Sequence, residues 1–261
     1  MNDHPTVLYT AENAIATITL NRPWVLNAMN DALMVGISDA MRQIEDDKSI
    51  RVVVLTGTGR AFCAGADLGA SAERQPIGPT DTMQDRFNPA MRAVHECPVP
   101  TIARVNGAAA GGGLGLALAC DIAIAAESAF FVATFGPKLG IVPDLGTTWN
   151  LPRKIGRSRA LGMSLLGDRI SAEQAKDWGL IWDVVADERL DDEVSRVADS
   201  LSRTSPEAMT RTRESIDAAL DNTFSEQLDL EMKHQSVLIP RNMSEGAKAF
   251  MEKREPHFKG R

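Results

Sequence analysis

Three consecutive glycines, Gly111, Gly112 and Gly113, stand between a short strand pattern and a small-residue helix pattern in NGAAAGGGLGLALACDIAIAA (106–126). Ordering glycine costs chain entropy. Three in a row imply that something approaches the backbone closely, or that the backbone turns where other residues cannot. The neighbouring Ala108, Ala109, Ala110 and Ala117 fit close packing of a helix on a strand. A dinucleotide-binding turn is not met: counted from Gly111 the sixth position of GxGxxG is Leu116, and from Gly113 it is Leu118. No Walker lysine follows. The sharper reading is a helix start whose N–H groups face developing negative charge. One such group rarely suffices. A second turn, Ala61-Phe-Cys-Ala-Gly-Ala-Asp67, follows a buried strand and holds another glycine, so two strand-to-turn junctions can aim two N–H groups at one oxygen.

The rest of the pattern is α/β. Thr6–Leu8 and Ile15–Leu20 read as short strands around a turn at Glu12–Asn13. Leu33, Met34, Ile37, Met41 and Ile44 give Asp31–Asp46 a helical stripe. Val52–Leu55 is a continuous β-branched and leucine run, closed by Thr56–Gly59, and Thr101–Val105 and Asp121–Ala125 are further strands. Gly112–Ala119 is the short helix between those two. Strands alternating with helices argue an α/β domain. Beyond about Gly156 helix signals take over: Ser171 with Gln174, Ser205 followed by Pro206, and Thr223 with Glu226 all fit N-terminal caps, and Gly179 fits a helix stop. We divide the chain into an α/β core, 1–195, and a helical region, 196–261. Gln75–Asp81, with Pro76, Gly78 and Pro79, reads as a mobile loop.

Charge and cysteines narrow the class. With 28 Lys and Arg against 35 Asp and Glu, the net charge is −7, which gives no general attraction for nucleic acid or an anionic membrane. Cys63, Cys97 and Cys120 are sparse and lack CxxC spacing, which points to a reducing, cytoplasmic setting without a metal cluster. No apolar run is long enough for a transmembrane helix, and the N-terminus lacks the pattern of a signal peptide.

GRAFCAGADL (59–68) and PTIARVNGAAAGGGLGLALACDIAIAAESAFF (100–131) together resemble the enoyl-CoA hydratase/isomerase, or crotonase, superfamily. LNRPWVLNAMN (20–30), LLGDRISAEQAKDWGLIWDVV (165–185) and EGAKAFMEKREPHF (245–258) extend the likeness over nearly the whole chain. The resemblance implies a stacked ββα spiral core, a C-terminal helical trimerisation region, and a homotrimer or a hexamer built as a dimer of trimers. It implies acyl-CoA thioester substrates, with coenzyme A carried by the substrate and no separate cofactor or metal. By the family pattern the N–H groups of Ala66 and Gly112 form an oxyanion hole for the thioester carbonyl. Arg22, Ala28, Ala64, Asp67 and Leu68 fall at coenzyme A positions, and Phe250, Lys253 and Phe258 at C-terminal positions that close over a neighbour's coenzyme A.

The acid/base residues depart from the hydratase pattern. Where hydratases carry the glutamate of GGGxE this chain has Gly115, and Phe131–Gly140 holds no carboxylate in place of their Pro-Glu pair. Asp144, in LGIVPDLGTTWNLPR (139–153), stands where double-bond-shifting members carry an aspartate. One carboxyl group suffices to move one proton along an unsaturated thioester. Asp144 is equally placed to cap a helix starting near Gly146. His95 reads as a helix-end histidine and Cys63 as a packing residue. Trp149, Trp178 and Trp182 read as core or subunit contacts. No Gly-x-Ser-x-Gly elbow is present. The expected activity is isomerisation of an unsaturated acyl-CoA, or of a related epoxide or ring. Hydration is the alternative within the family, and non-catalytic acyl-CoA binding the alternative of another class.

Overall fold

The computed structural model describes residues 4–69 and 83–260. The expected loop Gln75–Asp81 lies outside them. The chain starts with a hairpin of β1 (Val7–Glu12) and β2 (Ile15–Leu20). Asn13 and Ala14 turn it, both at positive φ, as two-residue hairpin turns demand. Pairing with β2 carries β1 to Glu12, beyond the Leu8 end read from the sequence. On β2 the alternation is strict: Ala16, Ile18 and Leu20 are fully buried. Helix α1 (Asp31–Asp46) opens on Asn30, whose side chain accepts the Leu33 N–H, and buries its leucine, isoleucine and methionine stripe.

Two sheets wind together as a spiral. The larger has the order β1-β2-β3-β5-β7-β10 and is parallel except for the first pair. In it β3 is Val52–Gly57, β5 Thr101–Val105, β7 Ile122–Ala126 and β10 Asp183–Val185. The smaller has the order β4-β6-β8-β9: Ala61–Cys63, Ala108–Ala110, Phe130–Val132 and Ile170–Ser171. Each turn of the chain lays one strand in the first sheet and the next strand in the second, as β3 then β4, β5 then β6, and β7 then β8. Asn106 fixes one crossing, accepting from the Gly57 N–H and donating to the Gly59 and Ala61 carbonyls. All six residues of β3 are buried, as both-face burial of a parallel strand requires. The three-residue strands of the smaller sheet escaped the sequence reading because they are too short to show a period.

Helix α2 (Asn88–His95) follows a π-helical turn at Met83–Phe87, and α3 (Gly112–Ala119) follows β6. A second π-helical turn, Phe135–Leu139, leads to α4 (Thr147–Leu166), which kinks at Gly156. Then come α5 (Ala172–Asp177) and α6 (Leu190–Ser202). Residue 195 falls inside α6, whose Leu190, Val194, Val197 and Ala198 are buried against β3, β5 and β7, so this helix is continuous with the core. The caps predicted at Ser171, Ser205 and Thr223 form, the last as a full capping box. Helices α7 (Pro206–Ala218), α8 (Phe224–Leu238) and α9 (Ser244–Glu252) complete the chain. No helix among the described residues is long and apolar enough to cross a membrane.

Candidate active site

The first wall is built around Arg22. Its side chain is nearly buried, donates to the Ala28 carbonyl at 2.5 Å and pairs with Asp67 at 2.7 Å. The Ala64 N–H donates to Leu26, and Met29 forms a single parallel bridge with Ala66. Arg22, Ala28, Ala64, Ala66 and Asp67 therefore meet on two strapped segments, with Leu68 following, 55 % exposed. In the bridge Met29 N–H donates to Gly65 and Asp67 N–H to Met29. A parallel pairing of that kind leaves the N–H of the intervening residue, Ala66, on the far side. It donates to nothing among the described residues.

The second wall is the glycine run. Gly111 has φ 50° and ψ −123° and precedes α3. A Cβ on Gly65 would stand 2.8 Å from the Ala110 carbonyl oxygen and 3.3 Å from the Gly112 nitrogen, so the two turns touch. A Cβ on Gly113 would stand 2.2 Å from the Cys63 carbonyl oxygen. Gly112, at the first position of α3, is buried, and its N–H also lacks an acceptor. A buried, unsatisfied N–H costs on the order of 1–3 kcal/mol, and native proteins keep few of them. Two amides without acceptors among the described residues, on touching turns and one of them at a helix start, are the kind of donor pair that can hold an oxyanion.

Asp144 comes from a third turn. Leu145 (φ 50°) and Gly146 (φ 76°) are both left-handed, a conformation that is strained for leucine. That turn seats Leu145 against the glycine run: a Cβ on Gly112 would lie 2.8 Å from Leu145 Cδ1 and 3.0 Å from Met29 Sδ. A Cβ on Gly115 would lie 2.5 Å from the Leu145 carbonyl oxygen and 3.0 Å from Thr147 Oγ1. The turn that carries Asp144 thus fills the slot a side chain at 115 would need. Gly146 is the N-cap of α4 and no side chain caps it, so Asp144 is not the helix cap that its position also allowed. It is half-buried between the exposed Ile141 and Val142 and the buried Leu145. Burial pushes its carboxyl up from the ordinary aspartate value, against a smaller opposing effect of its own backbone N–H. Sequence reasoning missed Met29 and the π-helical turn at Phe135–Leu139, and it read Leu145 only as an apolar neighbour of Asp144. A π turn absorbs one extra residue in a helical segment and leaves no periodic signal.

The C-terminal residues do not join this chain's own site. The Phe258 carbonyl accepts from Arg51, just before β3, whereas Leu20, two residues before Arg22, pairs with Gly57 at the other end of β3. The strand alone separates those ends by about 17 Å. Lys253 ends α9 in a left-handed conformation, and Phe250 on α9 is 83 % exposed. His95 is indeed the last residue of α2, its ring edge-on to Trp149 at 5.2 Å. Cys63 is fully buried, its thiol pushed up to about 12 by that burial. Trp178 is half-buried and Trp182 is 67 % exposed.

Fold and site together define a crotonase-type protein, and the chain belongs to the enoyl-CoA hydratase/isomerase family, whose model matches residues 10–261. It is 43 % identical to 1,2-epoxyphenylacetyl-CoA isomerase of Escherichia coli over 260 residues, 98 % of each chain. It is 41 % identical to a probable enoyl-CoA hydratase of Rhodobacter capsulatus over 257 residues, again 98 % of each. Among solved structures, an enoyl-CoA hydratase from Bacillus anthracis superposes with a TM-score of 0.92 at 35 % identity, covering 98 % of this chain and 100 % of that one. One from a Polaromonas species gives 0.91 at 34 % identity, covering 97 % and 99 %.

Proposed function

We propose that this protein is an isomerase of unsaturated acyl-CoA thioesters, with Asp144 as its single acid/base. The observation that carries the reading is the seating of the Asp144 turn on the glycine run, with the Leu145 carbonyl where a side chain at position 115 would start. Asp144 takes a proton from C2 of a 3-enoyl thioester. The electrons move onto the thioester oxygen, held by the Ala66 and Gly112 N–H groups, each worth about 3–4 kcal/mol. The resulting carboxylic acid then returns the proton at C4, leaving the double bond conjugated with the carbonyl. A carboxyl group raised by burial suits both halves of that shuttle. The same single-base chemistry serves an epoxide or strained ring beside the thioester.

Ala28, Ala64, Asp67 and Leu68 line the coenzyme A path in this reading. Arg22 acts there as a brace, because its guanidinium is already engaged by Ala28 and Asp67. Phe250, Lys253 and Phe258 serve a neighbouring copy. Phe224, Met232, Ile239, Phe250 and Met251, each at least half exposed, supply apolar surface for a trimer that stacks as a hexamer. Hydration remains the second reading, favoured by the hydratase names of several relatives. Incubation with a 3-enoyl-CoA in deuterated water separates the two. Isomerisation gives deuterated 2-enoyl-CoA without hydration, and Asp144→Asn abolishes it. A 3-hydroxyacyl-CoA product would mean hydration, and inertness of the wild type toward all such thioesters would leave only binding.

A further inference from the structure

A cavity of about 460 Å³ lies where the start of α4 and the end of α3 meet α7, away from the free amides at the opposite end of α3. Its volume is within the range of small-molecule sites. The charged groups around it are nearly all engaged. Asp121 accepts from the Thr101 N–H at 2.8 Å and from Arg213 at 3.2 Å. Arg213 also donates to the Cys97 carbonyl. The Arg153 guanidinium lies over the Trp149 ring at 4.1 Å, and His95 meets the edge of that same ring. Lys154 is the cation left over: it is half-buried and has no hydrogen bond or ion pair among the described residues, and Asp217, the other lining charge without one, lies beyond ion-pair distance of it. Asp121, Asp217 and Cys120 favour its charge from beyond ion-pair distance, but burial outweighs them and lowers its ammonium from the ordinary lysine value. The remaining lining is mixed: Leu118, Ile122, Leu201 and Met209 give it hydrocarbon, and Asn150, Thr210 and Thr212 are its polar members.

We propose that this cavity binds a small apolar carboxylic acid, with Lys154 as the counter-ion of its carboxylate and the hydrocarbon walls covering its tail. A desolvated ammonium without a partner gains strongly from an anion that brings its own hydrocarbon, because the pair forms where water no longer screens it. A bare, doubly charged anion gains less, since Asp121 and Asp217 border the same space and it brings no hydrocarbon to the apolar walls. The site is independent of the reaction proposed above and uses none of its residues. It lies along α4, the helix that begins beside Asp144.

The test is calorimetric titration of the full-length protein with octanoate, octanol and inorganic phosphate. Octanoate binds wild type more tightly than octanol does, because only the carboxylate can pair with the Lys154 ammonium. Lys154→Met, which keeps the apolar stem, weakens octanoate at least about tenfold and leaves octanol unchanged. Lys154→Arg, which keeps the charge, retains octanoate binding and guards against a folding defect. Equal octanoate affinity in wild type and Lys154→Met would place the ligand elsewhere and overturn the proposal. So would phosphate binding as tightly as octanoate, or the absence of octanoate heat at millimolar concentration.

Discussion

The carbonyl oxygen of Leu145 lies 2.5 Å from the point where a Cβ on Gly115 would stand. Backbone cannot yield there as the tip of a side chain can. Gly115→Glu, which writes the hydratase motif back into the sequence, is therefore expected to displace the Asp144 turn. It should lose isomerisation, gain no hydration, and cost about 1–3 kcal/mol of stability, a fall in Tm of roughly 3–10 °C. A variant that hydrates crotonyl-CoA with an unchanged Tm would refute the steric argument. Product analysis and a thermal scan settle it together.

Asp144→Asn tests the shuttle itself. Removing the proposed base should lower kcat by about 10²–10⁴-fold while acyl-CoA affinity stays within about threefold. Stability should move the other way. A carboxyl group raised in the folded state favours the unfolded state once both are ionised, so its neutral isostere should leave Tm equal or higher by up to about 3 °C at neutral pH. Lower Tm together with retained turnover would show that Asp144 serves the fold instead.

The pH profile follows from the same direction of shift. The base must be ionised to take the first proton, so kcat/KM should fall as pH drops through the raised value of Asp144. The acid limb should therefore lie above the ordinary aspartate range and vanish from the residual rate of Asp144→Asn. For stability, the protonated form of this group contributes below the unfolded pKa, and that contribution is lost as pH rises through the folded one. A profile flat from pH 4 to 7 would sink the assignment.

Arg22 ties its own turn, through Ala28, to the segment of Asp67, with both side chains of the pair nearly buried. Arg22→Leu removes the nearly buried guanidinium that pairs with Asp67 and donates to Ala28. It should destabilise by about 3–5 kcal/mol in urea unfolding and raise KM for acyl-CoA. Arg22→Leu with Asp67→Leu should cost less than the sum of the two single changes. Strict additivity would show that the pair is not coupled.

The exposed apolar residues of α8 and α9 predict association. Phe250→Ser combined with Met251→Ser should shift sedimentation toward the monomer and raise KM, because both side chains are at least 80 % exposed on their own chain. A wild-type monomer with full activity would remove the neighbour from the reading.

Much of the larger sheet was legible because its strands announce themselves. Val52–Leu55 is continuous and apolar, β2 alternates, and Ser171, Ser205 and Thr223 cap the helices they precede. The smaller sheet was not. Ala61–Cys63 and Ala108–Ala110 are three residues each, and small side chains give no period to read. The residue 195 boundary cuts α6 because the change in composition there is a change of neighbours, not of secondary structure.

By itself the sequence determined which residues can do chemistry: two glycine-bearing turns after strands, no carboxylate at position 115 or within Phe131–Gly140, and an aspartate at 144. These are local facts, fixed by which side chains exist and by the φ values glycine permits. Only the tertiary structure decided what they do to one another. It left the Ala66 and Gly112 amides without acceptors among the described residues, and it filled the Gly115 slot with the Leu145 carbonyl. It freed Asp144 from capping α4 and set Phe258 at the far end of β3 from Arg22. Each outcome depends on the spiral bringing residues tens of positions apart within van der Waals contact, and no pattern along one segment encodes that distance.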